Sequence, residues 1–197
     1  MPNVAAKEYL SLHHAVIHGD QQAVGRALAE GKALNGLDQY GRTPLILAIE
    51  QGDVVTVELL LQHGADPNTA SASGLTPLHY AACYGQHAFV ARLLTQGALC
   101  RSTSSHMTSP MHLCVICGHH TTLNAFLSAG VDPDLTDAYG RTPLHYAVRK
   151  GDASLVTMLL AHGANSGKRD HAGKTAWQYA VERQDRAMAT LLSTKSK

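Results

Sequence analysis

Apolar residues in this chain come in short clusters at helical spacing. Leu45, Ala48 and Ile49 fall on one helical face, and Val54, Val57, Leu60 and Leu61 fall on a second shortly after. Thr43 stands where an N-cap hydroxyl can accept an orphan backbone N–H, and Pro44 follows at the first helical position, where a missing N–H costs nothing. Gly52 and Gly64 close the two segments at left-handed positions. The pattern predicts a pair of helices of about ten residues each, a length at which an isolated helix does not persist in water. Such helices must lean on neighbouring elements.

The neighbours are copies. "GRTPLILAI" begins at Gly41, "GLTPLHYAA" at Gly74, "GRTPLHYAV" at Gly140 and "GKTAWQYAV" at Gly173. The capping positions are Thr43, Thr76, Ser109, Thr142 and Thr175, a spacing of 33 residues. A second ladder runs through Gly19, Gly52, Gly85, Gly118 and Gly151, and a third through Gly31, Gly64, Gly97, Gly130 and Gly163. Three ladders in one register define a repeat in which each unit buries its apolar face against the next.

The stretch "DAYGRTPLHYAVRKGDASLVTMLLAHGA", Asp137 to Ala164, resembles an ankyrin repeat almost position by position, and so does "GLTPLHYAACYGQHAFVARLLTQGA", Gly74 to Ala98. The resemblance implies an all-α fold, an ankyrin-repeat solenoid of paired antiparallel helices with turn or finger connections. It spans one domain, 1–197, with units near 5–37, 38–70, 71–103, 104–136, 137–169 and 170–192 and a short tail at 193–197. The first and last units depart from the pattern and are expected to be polar-faced caps of a complete chain. The last has Ala176 for Pro, Trp177 for Leu and Gln184 where Gly would end the helix. The fourth has Ser104 for Asp and Met107 for the turn Gly, so its tip is expected to take another path.

Composition narrows the function. Apolar residues make up 45% and aromatics only 5%, which points to a globular protein with an aliphatic core. The formal net charge of +1 gives no support to a nucleic-acid or membrane-surface role, and no run is long enough to span a bilayer. Charge is unevenly placed: residues 1–100 hold 5 basic and 8 acidic side chains, and residues 101–197 hold 11 and 7. Four cysteines without a secretory signal suggest thiols in a reducing compartment, cytoplasmic or also nuclear.

The densest group of thiols and imidazoles lies in "TSPMHLCVICGHH", Thr108 to His120. Cys114 falls in the ladder of Ala48, Ala81 and Ala147, so it reads as a small packed residue. A metal- or redox-active protein using Cys83, Cys114, Cys117 and nearby histidines is the alternative. Zinc, however, wants four ligands and a redox pair wants another context. His79, His112 and His145 recur every 33 residues, which suits a structural tie and not catalysis. Gly173-Lys174-Thr175 resembles the end of a phosphate loop, but Lys168 stands where the first Gly is required. No cofactor and no catalytic residue is expected.

In ankyrin repeats the turn tips and exposed first-helix positions line a concave groove. Carried onto this chain, the expected partner-binding residues are Tyr40, Arg42, Leu75, Cys83, Tyr84, His106, Ile116, Cys117, Tyr139, Arg141, Arg149, Lys150, Lys174 and Arg183. The middle of that set is apolar and its C-terminal part basic. The expectation is a non-catalytic protein-interaction module, monomeric by itself: an adaptor, inhibitor or assembly factor. Its partner carries an apolar contact and an acidic flank. A microbial ankyrin effector acting on a host protein is a further alternative.

Overall fold

The computed structural model describes residues 12–31, 33–101 and 108–194. His106 and the Ser104–Met107 tip lie outside the described residues. Regular structure among the described residues is helical: α1 (12–17), α2 (Gln21–Ala29), α3 (Pro44–Gln51), α4 (Val54–Gln62), α5 (Pro77–Cys83), α6 (His87–Thr95), α7 (Pro110–Cys117), α8 (His120–Ser128), α9 (Pro143–Lys150), α10 (Ala153–Ala161), α11 (Ala176–Glu182) and α12 (Arg186–Thr194). From α2 onward each has seven to nine residues, slightly shorter than the spacing predicts. One isolated antiparallel bridge joins Arg169 and Thr175.

The chain divides into two compact units at Leu99 and Cys100. The first holds α1–α6 and the second α7–α12. In the first, α3 packs on α4 and α5, α2 on α4, and α5 on α6. Leu45, Ile49, Val57, Leu60, Leu78, Val90 and Leu93 fill its core. In the second, α9 packs on α7, α10 and α11, with α8 beside α7 and α12 beside α11. Met111, Val115, Leu123, Phe126, Leu144, Val148, Leu155 and Leu159 are fully buried there. Each such side chain contributes about 1.5–3 kcal/mol through its removal from water. Val54, expected on the buried face of α4, is 58% exposed: it sits at the first helical position, past the edge of the stripe formed by Val57, Leu60 and Leu61.

Local chemistry explains where the helices begin. Thr43 Oγ1 accepts from the Ile46 N–H (3.2 Å), and Asp20, Asp53, Asp152 and Asp185 cap the N-termini of α2, α4, α10 and α12 with their carboxylates. The ladder histidines do more. His112 Nδ1 accepts from the Ser109 hydroxyl (2.8 Å), and its Nε2–H donates to the Arg141 carbonyl (2.9 Å), in the turn before the next repeat. His145 does the same with Thr142 (2.9 Å) and the Lys174 carbonyl (3.1 Å). In the first unit His13 reaches the Arg42 and Gly36 carbonyls. One imidazole thus closes its own helix and fastens the following turn, which fixes its neutral tautomer.

The turns are shaped by carboxylates. Asp38 Oδ1 accepts from Tyr40 N–H and Arg42 N–H, Asp137 from Tyr139 and Arg141, and Asp170 from Ala172 and Lys174. Successive tips touch within each unit: Ala72 N–H donates to Gly41 O, and His171 N–H to Tyr139 O. A Cβ on Gly41 would lie 2.1 Å from the Ala72 Cβ, and one on Gly140 2.6 Å from the His171 ring, so both tips require glycine.

The final repeat only partly fits the expectation of a polar cap. Arg186 and Thr190 of α12 are exposed as expected. In α11, however, Trp177 and Val181 are 43% and 46% exposed, although the matching Leu144 and Val148 are fully buried. Gln184 takes the left-handed conformation (φ 58°) that glycine fills in the other first-helix ends.

Two outcomes follow for stability. Gln184→Gly removes the left-handed penalty and raises unfolding free energy by about 1 kcal/mol in urea titration. Burial lowers the pKa of His112 and His145 below the ordinary value of 6.5. The unfolded chain therefore takes up protons first, so stability is full above about pH 6.5 and falls as pH drops below it. Thermal melts between pH 7 and 5 show this loss, and the double variant His112→Gln, His145→Gln flattens it while keeping the type of cap that Gln178 already makes to Thr175.

Candidate functional site

In the second unit an open cleft of about 440 Å³ is lined by Ile116 from the end of α7, Tyr146, Arg149 and Lys150 from α9, and Tyr179, Glu182 and Arg183 at α11. The repeat register produces it: Ile116, Arg149 and Glu182 are equivalent positions, as are Tyr146 and Tyr179, and Lys150 and Arg183. The two tyrosines carry the cationic side chain of Arg149, whose guanidinium lies 5.8 Å from the Tyr146 ring centre and 6.0 Å from that of Tyr179. Their hydroxyls point inward. Tyr146 donates to Asp137 Oδ2 (2.6 Å) and Tyr179 to Asp170 Oδ2 (2.5 Å). Burial and these bonds push both phenols above the ordinary tyrosine value, so they stay neutral and serve as a fixed aromatic base.

The basic residues of the cleft divide by what they touch. Lys150 Nζ donates to the Ile116 carbonyl (2.8 Å) and Arg183 Nη1 to the Arg149 carbonyl (2.7 Å). In the first unit Gln51 Nε2 donates in the same way to the Ile17 carbonyl (2.8 Å). In all three the donor stands 34 residues after a carbonyl at the C-terminal end of the preceding repeat's first helix, where acceptors lack intrahelical partners. Lys150 and Arg183 therefore staple adjacent repeats as well as adding positive charge. The Arg149 side chain makes no hydrogen bond or ion pair among the described residues.

Other expected site residues are also placed. Tyr40 and Tyr139 are exposed at turn tips, each under an arginine, Arg42 at 5.1 Å and Arg141 at 5.0 Å. Arg42 is fully matched: it bonds Asp38 (3.0 Å) and Glu50 (3.0 Å). Burial works against its charge, but these two carboxylates hold it ionised. Lys174 pairs with Glu182 at 2.6 Å. Leu75 is half-buried, and Cys83 and Tyr84 are exposed in the first unit; Ile116 and Cys117 are exposed in the second. The apolar set expected in the middle of the groove is thus divided between the units.

All four cysteines are thiols. Cys114 is fully buried, in the alanine position the ladder assigns it, and its S–H donates to the His119 carbonyl (3.2 Å). Burial pushes its thiol far up, and pushes Cys100 up to about 12, so neither offers a thiolate near neutral pH. No group of three or more His, Cys, Asp or Glu among the described residues converges as a metal site.

A family model described as ankyrin repeats (3 copies) matches residues 3–71, 69–137 and 111–197. The chain belongs to the ankyrin-repeat family. Among solved structures, the ankyrin repeat domain of Bcl-3, described as a unique member of the IkappaB protein family, is 29% identical with a TM-score of 0.88, over 94% of this chain and 85% of that one. EF0377, an ankyrin repeat protein, is 23% identical with a TM-score of 0.84, over 94% of this chain and 97% of that one, and speaks for the fold alone. No curated protein matches. Ankyrin repeats are in general protein–protein interaction modules, and no helix among the described residues is long and apolar enough to cross a membrane.

The sequence reading missed Tyr146 and Tyr179 as the base of the cleft, although the recurring Tyr at 80, 146 and 179 was available as a signal. It also missed the staples. Replacing Lys150 or Arg183 by Met is expected to lower unfolding free energy by about 0.5 kcal/mol each in denaturant titration, with the larger loss in the double variant.

Proposed function

We propose that this chain is a non-catalytic adaptor, inhibitor or assembly factor that binds a partner protein through its turn tips and first-helix surfaces. The observation that carries this reading is the contrast within one repeat. Leu144, His145 and Val148 of α9 are sealed in the core, whereas Tyr139 and Arg149 of the same repeat are exposed. Exposed aromatic and arginine side chains on a rigid scaffold are the usual anchors of interfaces. Tyr84 and Ile116, at 51% and 42% exposure, supply apolar contact on the two units, and the cations of the second unit favour acidic partner residues. The four thiols suit a reducing compartment, the cytoplasm or also the nucleus.

Proximity labelling in cells tests this reading. Wild type and the variants Tyr84→Asp and Ile116→Asp are compared at equal expression, with circular dichroism confirming the fold. Each substitution is expected to lower labelling of a shared set of proteins about tenfold or more. Identical labelling by all three proteins would remove the basis for these surfaces as the interface.

A further inference from the structure

The repeat register exposes a charge reversal at Arg149. Its equivalents are Glu50 in the second repeat and Glu182 in the sixth. Each glutamate closes an ion pair with the cation eight residues before it, Arg42–Glu50 at 3.0 Å and Lys174–Glu182 at 2.6 Å. The fifth repeat keeps the cation, Arg141, but has Arg149 where the carboxylate belongs. Arg141 instead shares the Tyr146 and Tyr179 hydroxyls and a long ion pair with Asp170. Its Nε is a buried atom without a hydrogen bond among the described residues, 3.9 Å from Asp170 Oδ2. Asp170 is already occupied by Tyr179 and two turn N–H groups.

The Arg149 guanidinium has no carboxylate partner among the described residues. The one carboxylate lining its cleft, Glu182, is held by Lys174. Lys150 and Arg183 spend hydrogen bonds on helix-end carbonyls but keep their charge beside the cleft. What remains is an arginine laid across two tyrosine rings, with Ile116 on one wall and two more cations at the rim.

We propose that this cleft is the anchoring subsite for a partner protein's acidic side chain. An Asp or Glu carboxylate of the partner bonds Arg149 in the place that the repeat's own glutamate takes elsewhere, and a neighbouring apolar side chain of the partner rests on Ile116. This rests on the protein-binding reading above and adds to it which residue selects the partner. Guanidinium presents a planar fork that matches a carboxylate, and the aromatic base fixes its plane. The roles of the three cations are thereby separated: Arg149 recognises, while Lys150 and Arg183 chiefly hold the repeats together.

The test uses the purified full chain and a random-peptide display library, selected in parallel on wild type, Arg149→Glu, Arg149→Gln, Lys150→Met and Ile116→Asp. Wild type is expected to enrich peptides in which Asp or Glu adjoins an apolar residue, and Lys150→Met, which removes one charge beside the cleft, to enrich the same class more weakly. Arg149→Glu restores the ion pair found in the other two repeats, so it melts no lower than wild type and loses the acidic preference. Arg149→Gln loses that preference too, without reversing the charge. The tightest acidic peptide from the wild-type selection binds both Arg149 variants about tenfold or more weakly. Peptides selected without acidic preference, or an acidic preference that survives in both Arg149 variants, overturn the anchoring role and leave the protein-binding reading intact if Ile116→Asp abolishes the same selection. Selection that ignores Ile116→Asp as well overturns both.

Discussion

Every helix here is too short to be stable alone, and the arrangement depends on side chains that serve two repeats at once. The ladder histidine is the clearest case. His112 accepts from Ser109 at the start of α7 and donates to the Arg141 carbonyl before α9, so a helix start and the next turn are fixed by one neutral ring. Leaving the buried Nε2–H or that carbonyl unpaired would cost more than the bond itself contributes. The tie therefore acts mainly by making any other register expensive. At the opposite helix ends Lys150 and Arg183 repeat the principle with carbonyls of the preceding repeat.

Much of this architecture is legible in the sequence because it is periodic. Thr43, Thr76, Thr142 and Thr175 announce helix starts, glycines announce ends, and Cys114 declares itself a core residue by standing in an alanine ladder. The structure agrees at each of these positions. What resists reading is whatever depends on reach. Nothing in the letters shows that Lys150 folds back on Ile116 O, since a lysine at that position could equally project into solvent. The exposure of Trp177 and Val181 is likewise invisible to a pattern that scores both as core, because burial there depends on a neighbouring surface and not on the residue.

The candidate site shows the same division. Its members could be named from the family's geometry, and most stand exposed as expected, yet their partners rearrange their meaning. Arg42 belongs to the expected interface by position, but Asp38 and Glu50 already satisfy it, so displacing them would cost much of what a new contact gains. Tyr146, overlooked as part of a surface, holds the arginine that matters. A list of exposed charges is thus a poor guide to recognition until internal pairs are subtracted.

That subtraction also orders the repeats by their openness to an anionic partner. Repeats two and six close their own ion pairs and present little unmatched charge. Repeat five presents Arg141 and Arg149, two like charges in one helix-turn unit, where its relatives place opposites. In the proposed reading, a partner's carboxylate takes at Arg149 the place that Glu50 and Glu182 hold in those repeats. Histidine ties and aliphatic stacking on both sides of α9 keep the repeat in register without the missing pair.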